Sequence, residues 1–444
     1  MMKGDKGFKI YIDPKTGTKI HFRREKNGYG VLIIRSSKVI YANPTATFFI
    51  EKLLSGYDSD KAAKEAVKKF RNVSFEEAKK DFEEIAYKVN SLIVGEFCPI
   101  TYLGVKRIDP LKFENSAPFR VDLALTYDCN NRCVHCYSSS PRKKSRELRA
   151  KEWKNVIDKL YDVGVPNILF TGGEPTLYEH LIELVRYAEK KGIVTGLVTN
   201  GRKLSDADFA NRLAEAGLDY VQVTLESHIP EIHEKITRVS GSWKETVEGI
   251  KNVLKAGIYV DVNTTLNKWN INHVEDFVVF LHSLGVKNVS ANRLIYSGMA
   301  LQVRDWFEPS FEETRKALED LLEKTYEYGM KFTWYGVTRY CELNPLELGL
   351  GLKFCSACSI TIAIEPDGTV LPCQSYFVPL GNILKDKWDK IWHHKICDYI
   401  RKRKFADPLC QKCPFYDSCG GGCPLEAKIR EYKIPANLVV PEEK

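Results

Sequence analysis

The sequence of 444 residues lacks any run of about 18 apolar residues, and no segment is therefore expected to span a membrane. Its first residues lack the apolar core and cleavage site of a signal peptide, which favours a cytoplasmic location. Concentrated positive charge is also missing, because 66 basic and 58 acidic residues are mixed along the chain. The densest basic run, 142–149, is broken by Glu147 and predicts a solvated loop. The diffuse charge disfavours nucleic acid as a partner.

Disulfides are not the first expectation for the 13 cysteines, because cytoplasmic thiols stay reduced and serve as metal ligands or catalytic groups. Their distribution is uneven: three lie at 129–136 and nine lie between Cys341 and Cys423. Cys98 lies outside both groups, and we expect it to be a small buried residue. Metal chemistry is therefore expected in two separate parts of the chain.

Residues 1–100 are predicted to form a small winged-helix-like α+β domain. Two short strands are indicated at 31–35 and 39–41, followed by helices at 43–54, 59–70 and 74–92. The first helix opens with Asn43-Pro44, a cap followed by a proline. Residues 101–118 are predicted to be a linker.

Residues 119–330 alternate short apolar runs with amphipathic helices, a pattern that predicts right-handed βαβ units and a parallel sheet. The strand candidates are 121–125, 167–170, 193–198, 220–225, 259–266 and 286–294, and the helical stretches lie near 151–163, 178–191, 206–216, 243–256, 273–284 and 310–329. Six units fit an α/β fold of the partial (β/α)6 TIM-like barrel type better than a complete eight-unit barrel. The loops that follow the strands would form the active face.

Residues 331–444 are predicted to be a cysteine-rich C-terminal domain. A hairpin is expected around the turn Pro366-Asp367-Gly368. A helix is expected from 386 to about 403.

Three cysteines, Cys129, Cys133 and Cys136, lie within eight residues in the first of the predicted active-face loops. A cubane [4Fe–4S] cluster has four irons, and three thiolates leave one iron free for a ligand that the protein does not supply. Such an open coordination site suits chemistry rather than electron transfer alone. The alternative is a cluster or zinc site whose fourth ligand comes from elsewhere in the chain.

The Cys-x3-Cys-x2-Cys spacing with Tyr137 after it resembles the signature of the radical S-adenosylmethionine (SAM) superfamily. The resemblance implies that the three cysteines are the catalytic cluster ligands and that SAM chelates the free iron. An electron from the cluster would then cleave SAM to a 5′-deoxyadenosyl radical, which abstracts a hydrogen from the substrate. His135 and Tyr137 would be ring neighbours of the cluster and cofactor.

Later motifs agree with this resemblance. Phe170-Thr-Gly-Gly-Glu-Pro175 resembles the family's Gly-Gly-Glu-Pro turn, in which Gly172, Gly173 and Glu174 would hold the methionine ammonium group of SAM. Val198-Thr-Asn-Gly201 resembles the third-strand turn, with Asn200 as a cofactor contact. Thr224 on the fourth strand would face the cofactor, and Arg293 would line its site.

The C-terminal cysteines resemble the SPASM extension of radical SAM enzymes, which carries auxiliary [4Fe–4S] clusters. The resemblance implies one cluster on Cys355, Cys358, Cys373 and Cys423, and a second on Cys410, Cys413 and Cys419. The fourth cysteine of the second site should follow Cys423, and no cysteine does. Three alternatives stay open. The fourth ligand would be Cys341, Cys397 or an oxygen ligand such as Asp417, or one iron of the second cluster would lack a protein ligand. In the third alternative, the domain would hold a single auxiliary cluster. Zinc knuckles are the alternative interpretation.

The N-terminal order of strands, Asn43-Pro44 and three helices resembles the PqqD-like peptide-recognition domain, whose relatives bind a leader segment as an added strand at a sheet edge. A winged-helix-like module that stabilises the chain or binds nucleic acid is the alternative. The three-part order resembles the radical SAM maturases of tungsten-cofactor oxidoreductases. It also resembles the enzymes that cross-link the precursor peptides of pyrroloquinoline quinone and mycofactocin.

These resemblances imply a maturase that abstracts hydrogen from a peptide or protein side chain, with a reductant such as ferredoxin or flavodoxin as a second partner. A radical SAM enzyme that modifies a tetrapyrrole or pterin type of cofactor is the first alternative. A zinc-binding adaptor without catalysis is the second. In the anaerobic sulfatase maturases of this family, an aspartate base follows the cysteine that corresponds to Cys373. Gln374 occupies that position here and cannot accept a proton, which disfavours formylglycine formation.

Overall fold

The computed structural model describes residues 8–35, 38–94, 113–142 and 146–429. Cys98, most of the expected linker and part of the basic run at 142–149 lie outside the described residues. The chain divides into two compact units. The described residues up to Phe119 form the first unit together with Asp158–Asn167 and Lys190–Val194, and the remainder forms the second. Among the described residues, no helix has both the length and the apolar character of a membrane span.

The N-terminal part of the first unit is a four-stranded antiparallel sheet followed by three helices, which confirms the predicted α+β domain. The strands lie in chain order: β1 (Phe8–Ile12), β2 (Lys19–Arg24), β3 (Gly30–Ile34) and β4 (Lys38–Ala42). The helices are α1 (Pro44–Leu54), α2 (Ser59–Lys69) and α3 (Phe75–Val94). Apolar side chains of β2 and β3 pack against α1 and α3, as Phe22, Leu32 and Ile50 show. The sequence patterns did not predict β1 and β2.

The large sheet confirms the six predicted βα units. Its strands from the middle of the chain are β5 (Arg120–Thr126), β6 (Asn167–Gly172), β7 (Val194–Thr199), β8 (Tyr220–Thr224), β9 (Tyr259–Thr265), β10 (Asn288–Asn292) and β11 (Lys331–Trp334). The helices are α4 (Ala150–Asp162), α5 (Leu181–Lys190), α6 (Ala207–Glu215), α7 (Pro230–Thr237), α8 (Ser242–Lys255), α9 (Val274–Ser283), α10 (Ala300–Phe307) and α11 (Phe311–Glu327). β11 pairs in parallel with β10 and extends the sheet beyond the six predicted strands.

The C-terminal part adds the predicted hairpin to the same sheet. Its strands are β12 (Thr361–Ile364), β13 (Thr369–Leu371) and β14 (Gly381–Asn382), and its helices are α12 (Trp388–Trp392), α13 (Lys395–Arg401), α14 (Tyr416–Cys419) and α15 (Pro424–Ile429). β12 pairs in parallel with β5 and antiparallel with β13. The single helix predicted from 386 to about 403 is wrong, because the backbone of His394 is extended and its side chain caps α13 by accepting from the amide of Ile396.

The strand order of the large sheet is β11-β10-β9-β8-β7-β6-β5-β12-β13-β14. The sheet is therefore open, with β11 at one end and β14 at the other, as expected for a partial barrel. The pairs β5–β6, β7–β8, β8–β9 and β9–β10 are parallel. Because the carboxyl ends of parallel strands meet at the same edge, the loops after β5, β6, β7 and β8 are brought together.

Candidate active site

The loop after β5, residues 127–139, carries the three closely spaced cysteines and is named here the cysteine loop. Its backbone is tied to α7 by two hydrogen bonds. The amide of Arg132 donates to the carbonyl of Thr237 over 2.9 Å, and the amide of Val134 donates to that of Ile236 over 3.0 Å. These bonds hold the middle of the loop against a helix that follows β8, three strands away in the sheet.

The three thiols are half-buried and lie within electrostatic reach of one another. Burial raises the pKa of Cys129 to about 12, and the charges of Glu174 and Cys136 add to the effect. Burial also raises the pKa of Cys133, with contributions from Glu226, Cys136 and Cys129. The amide of Asn131 donates to Cys129 Sγ over 3.4 Å. A positively charged metal group is what would keep such thiols deprotonated.

The donor set fits a [4Fe–4S] cluster held by three protein ligands. Thiolate is the usual protein ligand of iron–sulfur clusters, and each thiolate of a cubane binds a different iron. The thiols therefore need not converge on one point. Within residues 8–35, 38–94, 113–142 and 146–429, no three His, Cys, Asp or Glu side chains are gathered as ligands of a single metal ion.

The Gly-Gly-Glu-Pro turn after β6 packs backbone to backbone against the cysteine loop. The amides of Gly173 and Glu174 donate to the carbonyls of Thr126 and Asp128, each over 2.8 Å. A Cβ on Gly172, whose φ is +134°, would lie 2.1 Å from the Thr126 carbonyl oxygen. A Cβ on Gly173 would lie 2.4 Å from that of Asp128. Both positions therefore require glycine for the two loops to approach this closely.

The Glu174 carboxylate is fully buried and joins the ends of β6 and β7. Its Oε1 accepts from the hydroxyl of Thr176 over 2.6 Å and from that of Thr199 over 2.7 Å. Its Oε2 accepts from the amide of Asn200 over 2.8 Å. Burial raises the pKa of this carboxyl group, and the donors oppose that change. The structure thus gives Glu174 a role within the protein, and its contact with the ammonium group of SAM stays a prediction.

Asn200 and Arg202 hold the first part of the cysteine loop. Asn200 Nδ2 donates to Asn130 Oδ1 over 2.6 Å and lies 4.0 Å from Cys129 Sγ. Arg202 donates to the Asn130 carbonyl and to Asn131 Oδ1. The structure therefore brings the predicted residue Asn200 to the cysteines. Arg202 was not predicted, although its place directly after the Thr-Asn-Gly turn was a usable signal.

His135 anchors the other end of the cysteine loop. Its ring stacks on Phe307 of α10 with centroids 5.5 Å apart, and its Nε2 lies 3.2 Å from Glu226 Oε1. Beside it, the amide of Met299 donates to the carbonyl of Cys136 over 3.0 Å. The loop is thereby held from the segment after β10 as well as from α7. Sequence patterns did not predict the contact with residue 299, which depends on tertiary structure.

The remaining predicted cofactor residues, Tyr137, Thr224 and Arg293, each have different neighbours in the structure. The Tyr137 hydroxyl donates to Gln374 Oε1 over 3.2 Å, and burial raises its pKa. Thr224 ends β8 and is half-buried. The Arg293 guanidinium donates to Glu308 over 2.8 Å and lies over the ring of Phe311. The roles of Tyr137, Thr224 and Arg293 toward the cofactor stay predictions.

Three of the four cysteines predicted for the first auxiliary cluster lie together. Burial raises the pKa of Cys355, and the charges of Cys423 and Cys373 add to it. Burial and the charge of Cys373 raise the pKa of Cys423 to about 12. Cys358 is instead joined to Cys397 in a disulfide that was not predicted, because the spacing of 39 residues gives no signal of contact. The ligand role of Cys358 stays a prediction.

Comparisons with known proteins identify two domains in the chain. Residues 123–281 match the Radical SAM superfamily, and residues 355–414 match SPASM, an iron–sulfur cluster-binding domain. Fe-coproporphyrin III synthase of Methanosarcina barkeri is 30% identical over 333 residues, which is 68% of this chain and 82% of that protein. Mycofactocin maturase MftC of Mycolicibacterium smegmatis is 29% identical over 314 residues, which is 69% of this chain and 78% of that protein.

Among solved structures, Streptococcus suis SuiB bound to the precursor peptide SuiA has the same fold, with a TM-score of 0.68 at 18% identity. The likeness covers 93% of this chain and 95% of SuiB. The chain belongs to the radical SAM superfamily and carries a SPASM domain. It is a radical SAM enzyme that uses a [4Fe–4S] cluster and SAM, with auxiliary iron–sulfur clusters in the SPASM domain. When bound, a cluster of this family would supply the electron for the reductive cleavage of SAM. The residues described above hold and orient the cysteine loop.

Proposed function

We propose that this enzyme is a maturase that abstracts hydrogen from a side chain of a peptide or protein. The assignments of Cys129, Cys133 and Cys136 to the catalytic cluster belong to this proposal. Relatives that include a mycofactocin maturase support it. The fold likeness to SuiB supports it further, because a likeness over 93% of the chain takes in most of the N-terminal domain. That domain would recognise the substrate.

The outer strand β4 of the N-terminal sheet is the proposed recognition surface. β1 and β4 are the two outer strands. β1 is covered within its own unit: the ring of Phe8 lies 5.8 Å from that of Tyr161, and a Cβ on Gly192 would lie 2.9 Å from Ile10. β4 carries the exposed apolar residue Val39. An outer strand offers backbone donors and acceptors to an extended peptide, which would add to β4 as a fifth strand.

A second candidate function is the modification of a tetrapyrrole. The observation in its favour is the 30% identity to Fe-coproporphyrin III synthase. In this case the N-terminal domain would be structural only. The first proposal has three further parts. The substrate would be a tungsten-cofactor oxidoreductase or its associated peptide, the reductant would be of the ferredoxin or flavodoxin type, and the enzyme would be located in the cytoplasm.

The two candidates are separated by substrate-dependent cleavage of SAM in reduced, oxygen-free protein. The probes are an iron tetrapyrrole from which iron–coproporphyrin III is made and the peptides encoded by short reading frames beside the gene. We expect a peptide, and not the tetrapyrrole, to raise 5′-deoxyadenosine formation and to change in mass. Val39→Arg should weaken peptide binding about tenfold, or about 1.4 kcal/mol, because a bulky charge would stand beside the added strand. Val67→Arg, at an exposed valine of α2, is the matched control.

Point substitutions are preferable to deletion of the N-terminal domain. Arg23 of β2 donates to the carbonyl of Gly164 over 3.0 Å, and a deletion would expose the segment 158–167 that this domain covers. Tetrapyrrole-dependent turnover that is equal in wild type and Val39→Arg would contradict the proposed function and favour the second candidate.

A further inference from the structure

The second group of SPASM cysteines has three members, and residues 424–444 contain no cysteine. Cys410 lies in the turn Pro408–Lys412, Cys413 follows it, and Cys419 ends α14. No cysteine follows Cys423 in the sequence. A cubane on these three thiolates would keep one iron without a protein ligand, unless another part of the chain supplies one.

A turn upstream of the SPASM match contacts this group directly. The amide of Tyr340 donates to Cys419 Sγ over 3.4 Å, and Cys419 Sγ lies 3.9 Å from the carbonyl oxygen of Thr338. The Tyr340 side chain is buried, with its ring centroid 6.5 Å from that of Phe415. The turn 338–343 therefore packs against the segment from Cys413 to Cys419.

The same turn is fixed by its own hydrogen bonds. The amides of Glu342 and Leu343 donate to the carbonyl of Arg339 over 2.9 and 3.0 Å. The hydroxyl of Thr338 donates to the carbonyl of Leu343 over 2.7 Å. Because Tyr340 is buried against this segment, the residue that follows it in the turn is held beside Cys410, Cys413 and Cys419.

That next residue is Cys341, whose thiol is free and exposed. It directly follows Tyr340, whose amide donates to Cys419 Sγ over 3.4 Å. Cys341 is thus an accessible thiol at the rim of a group of three others. The arrangement is what a cluster ligand requires before the cluster is inserted.

Two other candidates for a fourth ligand are less well placed than Cys341. Cys397 is fully buried in α13 and is joined to Cys358, and it is included in the test below because a Cys358 that binds a cluster would release it. Asp407 Oδ1 accepts from the amide of Leu409 over 2.8 Å and caps the turn that bears Cys410. Asp417, within α14, remains the alternative oxygen ligand and is included in the test below.

We propose that Cys341 is the fourth ligand of the second auxiliary cluster, together with Cys410, Cys413 and Cys419. The ligand would come from upstream of residue 355, where the SPASM match begins, instead of from downstream. A site closed by four thiolates has no open iron, so this cluster would transfer electrons rather than bind substrate. The assignment does not depend on the class of substrate.

The test uses the full chain with Cys129, Cys133 and Cys136 all changed to alanine. This background removes the catalytic cluster, whose open iron would otherwise give the same spectroscopic signature as a defective auxiliary cluster. Cys341→Ala, Cys397→Ala and Asp417→Asn are each added and reconstituted without oxygen. Iron and sulfide per chain are measured, together with the EPR spectrum after mild oxidation. Alkylation of Cys341 is followed by mass spectrometry in the parent before and after reconstitution.

Cys341→Ala should lose about four irons per chain or show the EPR signal of a three-iron cluster, because an iron without a thiolate ligand is readily lost. Cys397→Ala and Asp417→Asn should keep the iron content and spectrum of the parent. Cys341 should be alkylated before reconstitution and protected after it. Because its side chain is exposed, Cys341→Ala leaves no cavity in the core. Unchanged iron and EPR in Cys341→Ala, equal loss in Cys397→Ala or Asp417→Asn, or unprotected Cys341 would overturn the proposal.

Discussion

At the scale of single residues, the two glycines of the Gly-Gly-Glu-Pro turn set how closely two loops of the active site approach. The sequence predicts that this motif contacts the cofactor. The structure adds a second reason for glycine, since Gly172 and Gly173 lie against the backbone of residues 126–128. A side chain there would push against carbonyl groups rather than against flexible side chains. The position of the cysteine loop therefore depends on the absence of two Cβ atoms.

Gly173→Ala is predicted to displace the cysteine loop. The new Cβ would lie 2.4 Å from the carbonyl oxygen of Asp128 and 2.7 Å from that of Tyr127. We expect the free energy of unfolding to fall by about 2–3 kcal/mol. The iron content of the catalytic cluster should fall with it. Urea unfolding and iron quantification in oxygen-free protein check both effects.

The matched control is Gly285→Ala, whose Cβ would meet no atom within 4 Å at a φ of +86°. This change strains the backbone by about 1–2 kcal/mol without touching the site. Its iron content should equal that of wild type. If Gly173→Ala retains full iron and full stability, the close packing of the two loops does not constrain the site.

At the scale of elements, local sequence patterns predict most helices and strands of the large sheet. They do not predict the contacts between residues that are far apart in the chain. The six βα units follow from hydrophobic periodicity, and the hairpin follows from Pro366-Asp367-Gly368. The pairing of β12 with β5 joins residues that are far apart in the chain, and no local pattern reveals it. The contact of Met299 with the cysteine loop was missed for the same reason, whereas Arg202 was missed although it directly follows the Thr-Asn-Gly turn. The break at His394 was missed because a side-chain cap outweighed the helical pattern.

The edge between β2 and the segment 190–194 carries a pH-sensitive contact. His21 of β2 is fully buried, and its Nε2 lies 2.9 Å from the carbonyl oxygen of Gly192. Burial lowers the pKa of His21 to about 4, and the bond to Gly192 opposes that change. The folded pKa is therefore below the value of about 6.5 expected in the unfolded chain. The contact is fully stabilising above pH 6.5 and weakens as the pH falls toward 4.

Wild-type protein should consequently lose about 2 kcal/mol of unfolding free energy through His21 between pH 7.5 and pH 5. His21→Gln keeps a polar side chain that does not titrate and should lack this part of the loss. Urea unfolding at the two pH values measures the difference. The exposed His393→Gln is the control and should follow wild type. Equal pH dependence in wild type and His21→Gln would show that His21 does not titrate on unfolding.

At the scale of the whole molecule, the strand that precedes the cysteine loop and the strands of the C-terminal part belong to one sheet. β12 lies beside β5, the strand that leads into the cysteine loop. Gln374 follows Cys373 after β13, and its side chain accepts from Tyr137 of the cysteine loop. One hydrogen bond thus joins the residue after Cys136 to the residue after Cys373. The sheet and this hydrogen bond therefore connect the cysteine loop with the C-terminal hairpin.

We propose that Cys129, Cys133 and Cys136 hold a cubane with one iron that the chain leaves for SAM. The most direct measurement is EPR of reduced, oxygen-free protein with and without SAM, compared with the variant in which all three cysteines are alanine. We expect SAM to change the spectrum of wild type and to leave the auxiliary signals of the variant unchanged. A wild-type spectrum that does not respond to SAM, or a response that persists in the variant, would contradict the claim.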